Sequence, residues 1–168
     1  MKLKKETVYL VRIAVLAALA LALSVLEGVF TPVLPPGAKA GVSNIVTMYA
    51  ACALGLPTAL AISLIKALFA LATRGVIAFG MSAAGGILSA TVLFLLFRLA
   101  RGKLGTLGIS IFGAAVHNAA QGLFALLIFG KAILAYLPVL ILLSLPSGAL
   151  TGAIMHASLR VAHRKDTQ

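Results

Sequence analysis

Apolar residues run almost unbroken along this chain, and the polar positions fall in short clusters that cut the run into helix-length segments. Read by run length and by the glycine and proline breakers between runs, the pattern predicts helices at about 8–30, 43–56, 58–73, 76–99, 106–129 and 134–160. Runs of 18 or more apolar residues recur, each long enough to cross a hydrocarbon core of about 30 Å. The second and third helices are shorter, with Gly55-Leu56-Pro57 marking the turn between them, so local thinning, tilt or a partly buried helical hairpin is expected there. Lys2, Lys4, Lys5 and Arg12 accompany the first run, as in a signal peptide. That run extends from Val8 to Phe30, beyond the roughly 7–15 residues of a signal core, and reads as a retained helix. Neither a tandem repeat nor a low-complexity linker divides the chain, so residues 1–168 read as a single integral membrane domain: an all-α, compact bundle of six transmembrane helices.

Composition strengthens this reading. Of 168 residues, 62% are hydrophobic and 10% charged, with mean hydropathy +1.15, whereas a soluble domain carries roughly 25% charged residues. Lipid is the solvent this sequence suits. A net charge of +11 would suggest nucleic acid in a soluble protein, but the charges gather at the ends of apolar runs, which excludes that partner. With six spans, ten Lys and Arg fall on the face carrying both termini and the 100–105 loop, and four, Lys39, Lys66, Arg74 and Lys131, fall on or near the other. The positive-inside rule then predicts a multi-pass protein of the cell membrane with both termini cytoplasmic. One cysteine, Cys52, excludes an internal disulfide and a cysteine-cluster metal site, and reads as a small packing residue.

Several features could carry function. Ala14, Ala18 and Ala22, four apart, put small side chains on one stripe of the first helix where another helix could approach closely. The segment 31–42, rich in proline and glycine, should form an ordered outer loop. Ser43 or Asn44 would cap the second helix, whose amino terminus, with Lys39 nearby, offers positive potential to an anion. A purely structural loop is the alternative. Ionisable residues inside spans are costly and usually face a bundle interior; here they are Glu27, Lys66, Arg74, His117 and His156. Glu27 could be neutralised by Lys39, Lys66 or Arg74, or could serve a ligand or a proton. His117 and Gln121 share a helix face, with Asn118 beside them, which suits either ligand recognition or an interhelical clasp. His156, near the end of the sixth helix, reads as solvated or headgroup-facing. Gly80, Gly85 and Gly86 in the fourth helix, and Pro146, Ser147, Gly148 and Gly152 in the sixth, predict close approach and a kink, and small residues at these depths could leave room for a ligand or serve tight packing alone.

The run Pro36-Gly37-Ala38-Lys39-Ala40-Gly41-Val42-Ser43-Asn44-Ile45-Val46-Thr47, together with His117-Asn118-x-x-Gln121, resembles the family named Gx transporter or heptaprenyl diphosphate synthase component I, apart from Ala40 and Val42-Ser43 in place of Leu and Leu-Ala. That family in turn resembles the substrate-binding S components of energy-coupling factor transporters, six-helix proteins that bind a vitamin or similar molecule near the outer face. The resemblance implies that the stripe Ala14, Ala18 and Ala22 docks on a transmembrane T component driven by ATPase subunits, and that the loop at 31–42 closes over the ligand. We therefore expect Lys39, Asn44, Arg74, His117, Asn118 and Gln121 to contact a small molecule that is anionic or carries polar acceptors.

The synthase in the family name can be weighed against the residues. Prenyl-diphosphate synthases hold Mg²⁺ through aspartate-rich clusters, because a hard dication needs several carboxylate oxygens. Here the only acidic residues are Asp166, Glu6 and Glu27, so prenyl transfer by this chain alone is not expected, and neither a cofactor nor a bound metal is. The sequence has no P-loop, so ATP hydrolysis would belong to a partner. Two other functions stay open. One is a membrane subunit of a flavin- and quinone-linked electron-transfer assembly, since relatives of the family are similar to proteins encoded with such systems. The other is a non-catalytic subunit that anchors a prenyl diphosphate synthase.

Overall fold

The computed structural model describes residues 5–30, 41–99, 105–135 and 137–165, and the elements among them are all helical. Helix α1 spans Lys5–Phe30, α2 Asn44–Ala53, α3 Leu56–Arg74, α4 Val76–Leu99, α5 Thr106–Phe129 and α6 Leu137–Lys165, with a 3₁₀ segment, Gly130–Ala135, leading into α6. The bounds of α4 and α5 are those the apolar pattern predicts. The loop at 31–40, including Lys39, and the segment 100–104 lie outside the described residues.

Helix α2 is shorter than its apolar run because the backbone reverses early. The N–H groups of Leu54 and Gly55 both donate to the Ala50 carbonyl, closing the helix. Gly55 then takes φ +94°, a conformation nearly closed to residues with a Cβ, and Pro57 already lies in the first turn of α3. Ten residues of helix rise about 15 Å, half of a hydrocarbon core. Five of the six helices are long and apolar enough to cross a membrane, and α2 is not among them. It sits inside the bundle instead, with Val46, Thr47, Met48, Ala50 and Ala51 buried.

Cross-contacts fix the direction of each helix. Ser63 of α3 meets Gly86 of α4, and beyond Gly75 the two helices run antiparallel. Along α4 and α5, Gly80 faces Phe124, Gly85 faces Gln121, and Leu93 faces Gly113, again antiparallel. Along α5 and α6, Gly122 faces Leu137, Ile111 faces Gly148, and Leu107 faces Gly152. The Tyr9 and Thr58 hydroxyls, 2.8 Å apart, tie the first turns of α1 and α3 together. The starts of α1, α3 and α5 and the ends of α4 and α6 therefore lie at one end of the bundle.

Small residues permit these approaches. A Cβ on Gly148 would stand 2.5 Å from the Ile111 Cα, and one on Gly152 would stand 2.8 Å from the Leu107 Cα, so the α5 and α6 backbones touch with nothing between them. The core is correspondingly rich in alanine: Ala20, Ala50, Ala51, Ala59 and Ala90 pack with Met48, Ile62, Leu93 and Met155. The outer surface is apolar, with Leu127 82%, Leu99 78% and Val76 73% exposed, which suits lipid and not water. On α1, Ala17 and Ala20 face the bundle while Ala14, Ala18 and Ala22 are exposed.

Candidate functional site

Polar side chains from all six helices converge on one interior cavity. Ser24 and Glu27 come from α1, Asn44 from α2, Lys66 from α3, Ser82 from α4, His117, Asn118 and Gln121 from α5, and Ser147 from α6, with Gly41 and Ser43 closing the approach to α2. Each of these residues would cost free energy against lipid, which favours gathering them in the bundle interior.

The acid at this site is bound by backbone and hydroxyl. Ser43 donates its N–H to Glu27 Oε1 at 3.1 Å and its hydroxyl to Oε2 at 2.9 Å. The anion at the amino terminus of α2 is thus a side chain of α1. Ser43 occupies the cap position, but its side chain makes no capping bond to the helix, a correction to the expected cap. The next two N–H groups are also used, Asn44 donating to the Gly41 carbonyl and Ile45 to that of Val42. A carboxylate serves here better than a hydroxyl because it accepts both Ser43 protons and opposes the helix dipole. The base is held from the neighbouring helix: Lys66 Nζ donates to Asn44 Oδ1 at 2.9 Å.

On the other side of the cavity His117 is held at both ring nitrogens. The Gln121 amide nitrogen lies 3.0 Å from Nε2, and Ser89 Oγ lies 3.3 Å from Nδ1. With the amide donating to Nε2, the ring proton sits on Nδ1 and is donated to Ser89, whose own proton goes to the Gly86 carbonyl at 3.3 Å. Contacts at both ring nitrogens fix the rotation of the imidazole. Gly85 makes room for it: a Cβ there would lie 2.8 Å from Gln121 Cγ and 3.0 Å from His117 Cε1. Asn118 Nδ2 donates to the Leu140 carbonyl at 2.8 Å, joining α5 to α6.

Of the residues expected to bind a ligand, Asn44, His117, Asn118 and Gln121 line this cavity. Arg74 does not; it stands exposed at the last turn of α3, eight residues and about 12 Å of helix rise beyond Lys66. Lys39 lies outside the described residues. Glu27 and Lys66, the in-span charges nearest the loop, belong to the site although the motif does not include them. Their one sequence signal is the cost of a charge inside an apolar run. Ser24, Ser82 and Ser147 gave no signal, because a serine among alanines and glycines is equally at home in helix packing. His156, at the far end, is exposed, with Nδ1 3.4 Å from the Thr106 hydroxyl.

The cavity measures about 20 Å³, enough for roughly one water. Small-molecule pockets run to about 300–1,000 Å³. The bundle is therefore closed around its polar centre.

Comparison with known proteins gives no match among curated proteins and none among solved structures. The sequence model of one family, heptaprenyl diphosphate synthase component I, matches residues 16–158, which take in every described residue of the cavity. The chain belongs to the heptaprenyl diphosphate synthase component I family.

Proposed function

We propose that this protein is the substrate-binding membrane subunit of a small-molecule uptake transporter, built on the six-span plan of energy-coupling factor S components. The observation that carries the reading is the convergence of polar side chains from all six helices on one interior cavity. A membrane protein needing only an anchor has no use for an acid, a base, an imidazole and three amides gathered at one point. The ligand is anionic or rich in acceptors, and Lys39, Asn44, His117, Asn118 and Gln121 are its contacts; Arg74, expected from the sequence to join them, stands exposed away from the cavity. It enters from the outer face, and the cavity widens to admit it. The exposed face bearing Ala14, Ala18 and Ala22 is the docking surface for a transmembrane T component with its ATPases.

Native mass spectrometry of the gently purified protein tests this directly. A retained small molecule is expected, and Lys39→Ala and His117→Ala should each lower its occupancy roughly tenfold or more, since a lost hydrogen bond in a water-poor site costs about 1–3 kcal/mol. The folded yield should be unchanged. A protein that carries nothing through purification, and that instead brings down a soluble prenyl diphosphate synthase, overturns the reading. It would favour the second one, a non-catalytic partner subunit of that enzyme, which the family's description supports.

A further inference from the structure

Below the polar centre lies a second cavity, also about 20 Å³, lined by Thr47 and Met48 of α2, Ser89 and Leu93 of α4, Ser110 and Gly113 of α5, and Thr151 of α6. It shares Gly41, Asn44, Ala114 and Ser147 with the first, so only these residues separate the two. Two hydroxyls on its wall, Thr47 Oγ1 and Ser110 Oγ, are fully buried and have no hydrogen-bond partner among the described residues. Both residues are only 3% exposed.

Their isolation is unusual for this chain. Thr73, Thr91 and Thr151 each donate to the carbonyl four residues earlier, at 2.8, 2.9 and 2.7 Å, as helical threonines readily do. Thr47 sits in a helix with the same option and does not take it. An orphaned buried hydroxyl costs about 1–3 kcal/mol, and valine at 47 or alanine at 110 would avoid that cost. Two such groups on one cavity large enough for about one water call for a polar guest.

We infer that this inner cavity is a second, uncharged binding subsite, occupied in the resting protein by a water that bonds both Thr47 Oγ1 and Ser110 Oγ. Among the described residues no ionisable side chain lines it, in contrast to the Glu27, Lys66 and His117 of the outer cavity. An ion would find no countercharge there, whereas a neutral group that both donates and accepts would be satisfied. Resting on the uptake reading, a consequence follows for the ligand: its ionisable end lies in the outer cavity, and a hydroxyl or amide replaces the inner water.

The occupied subsite is tested without any ligand, so its failure is separate from failure of the uptake reading. Thermal unfolding in detergent is measured for Thr47→Val, Ser110→Ala and the double variant. With a shared water, each single change strands a hydrogen bond of that water and lowers Tm, while the double variant loses less than the two shifts added together. Singles that leave Tm unchanged or raise it mean a dry cavity and overturn the inference; singles whose losses simply add overturn the shared occupant. If Thr47→Val does not fold, an experimental map of the unaltered protein that resolves waters decides: density within hydrogen-bond reach of both hydroxyls supports the subsite, and an empty cavity refutes it.

Discussion

Glu27 illustrates how a single residue can be conspicuous in the sequence and still have an illegible partner. Its charge inside an apolar helix marks it as costly, and a lysine or arginine was the expected remedy. Its two oxygens accept from the N–H and the hydroxyl of Ser43, sixteen residues along the chain, a contact that no periodicity encodes. By contrast, the shared face of His117 and Gln121 follows from helical spacing alone, and they are 3.0 Å apart. The Ser43 contacts predict a graded response. Glu27→Ala strands a buried N–H and a buried hydroxyl, at about 1–3 kcal/mol each, and should lower the detergent Tm markedly. Glu27→Gln keeps one acceptor oxygen and should lower it less. Equal losses in the two variants would mean that charge, and not the Ser43 bonds, is what matters at this position.

At the scale of elements, α4 and α5 were legible to the residue because glycines flank both of them: Gly75 and Gly130 carry φ of +86° and +66°. Helix α2 was not, because nothing in an apolar run shows which carbonyl accepts two N–H groups and so ends the helix. Glycine content alone also left packing and ligand space undecided, and the contacts separate the cases. Gly148 and Gly152 set the α5 and α6 backbones against each other, while nothing lies within 4 Å of a Cβ built on Gly108. Gly148→Ala should therefore destabilise the fold by about 1–3 kcal/mol or more, as overpacking against rigid backbone does, and Gly108→Ala should be neutral or slightly stabilising. Gly85 is intermediate, since what its methyl group would strike is the pair His117 and Gln121. Gly85→Ala should leave the fold assembled and release the retained small molecule, which native mass spectrometry of the variant beside the unaltered protein would register.

For the whole molecule, the question a ten-residue α2 raises is one of parity. Five long helices in strict alternation would leave the two termini on opposite sides of the membrane. Yet α2 reverses the chain even though it covers only about half the hydrocarbon thickness. The Ser43 contact with Glu27 sets its start beside the end of α1, and the Tyr9 contact with Thr58 returns the chain to the start of α1 before α3 rises. The start of α1 and the end of α6 thus share one end of the bundle, and in the sequence ten of the fourteen Lys and Arg fall toward the two termini and the 100–105 segment. By the positive-inside rule, a bias of that size predicts that this end faces the cytoplasm. In a Cys52→Ser background, Lys4→Cys and Arg164→Cys should both resist an impermeant thiol reagent applied to whole cells, and Lys131→Cys, exposed at the start of the 3₁₀ segment, should react. Labelling of both tails but not of position 131 would reverse the orientation. Labelling of one tail alone would mean that α2 does not restore the parity, and the two ends of the chain would then face different compartments.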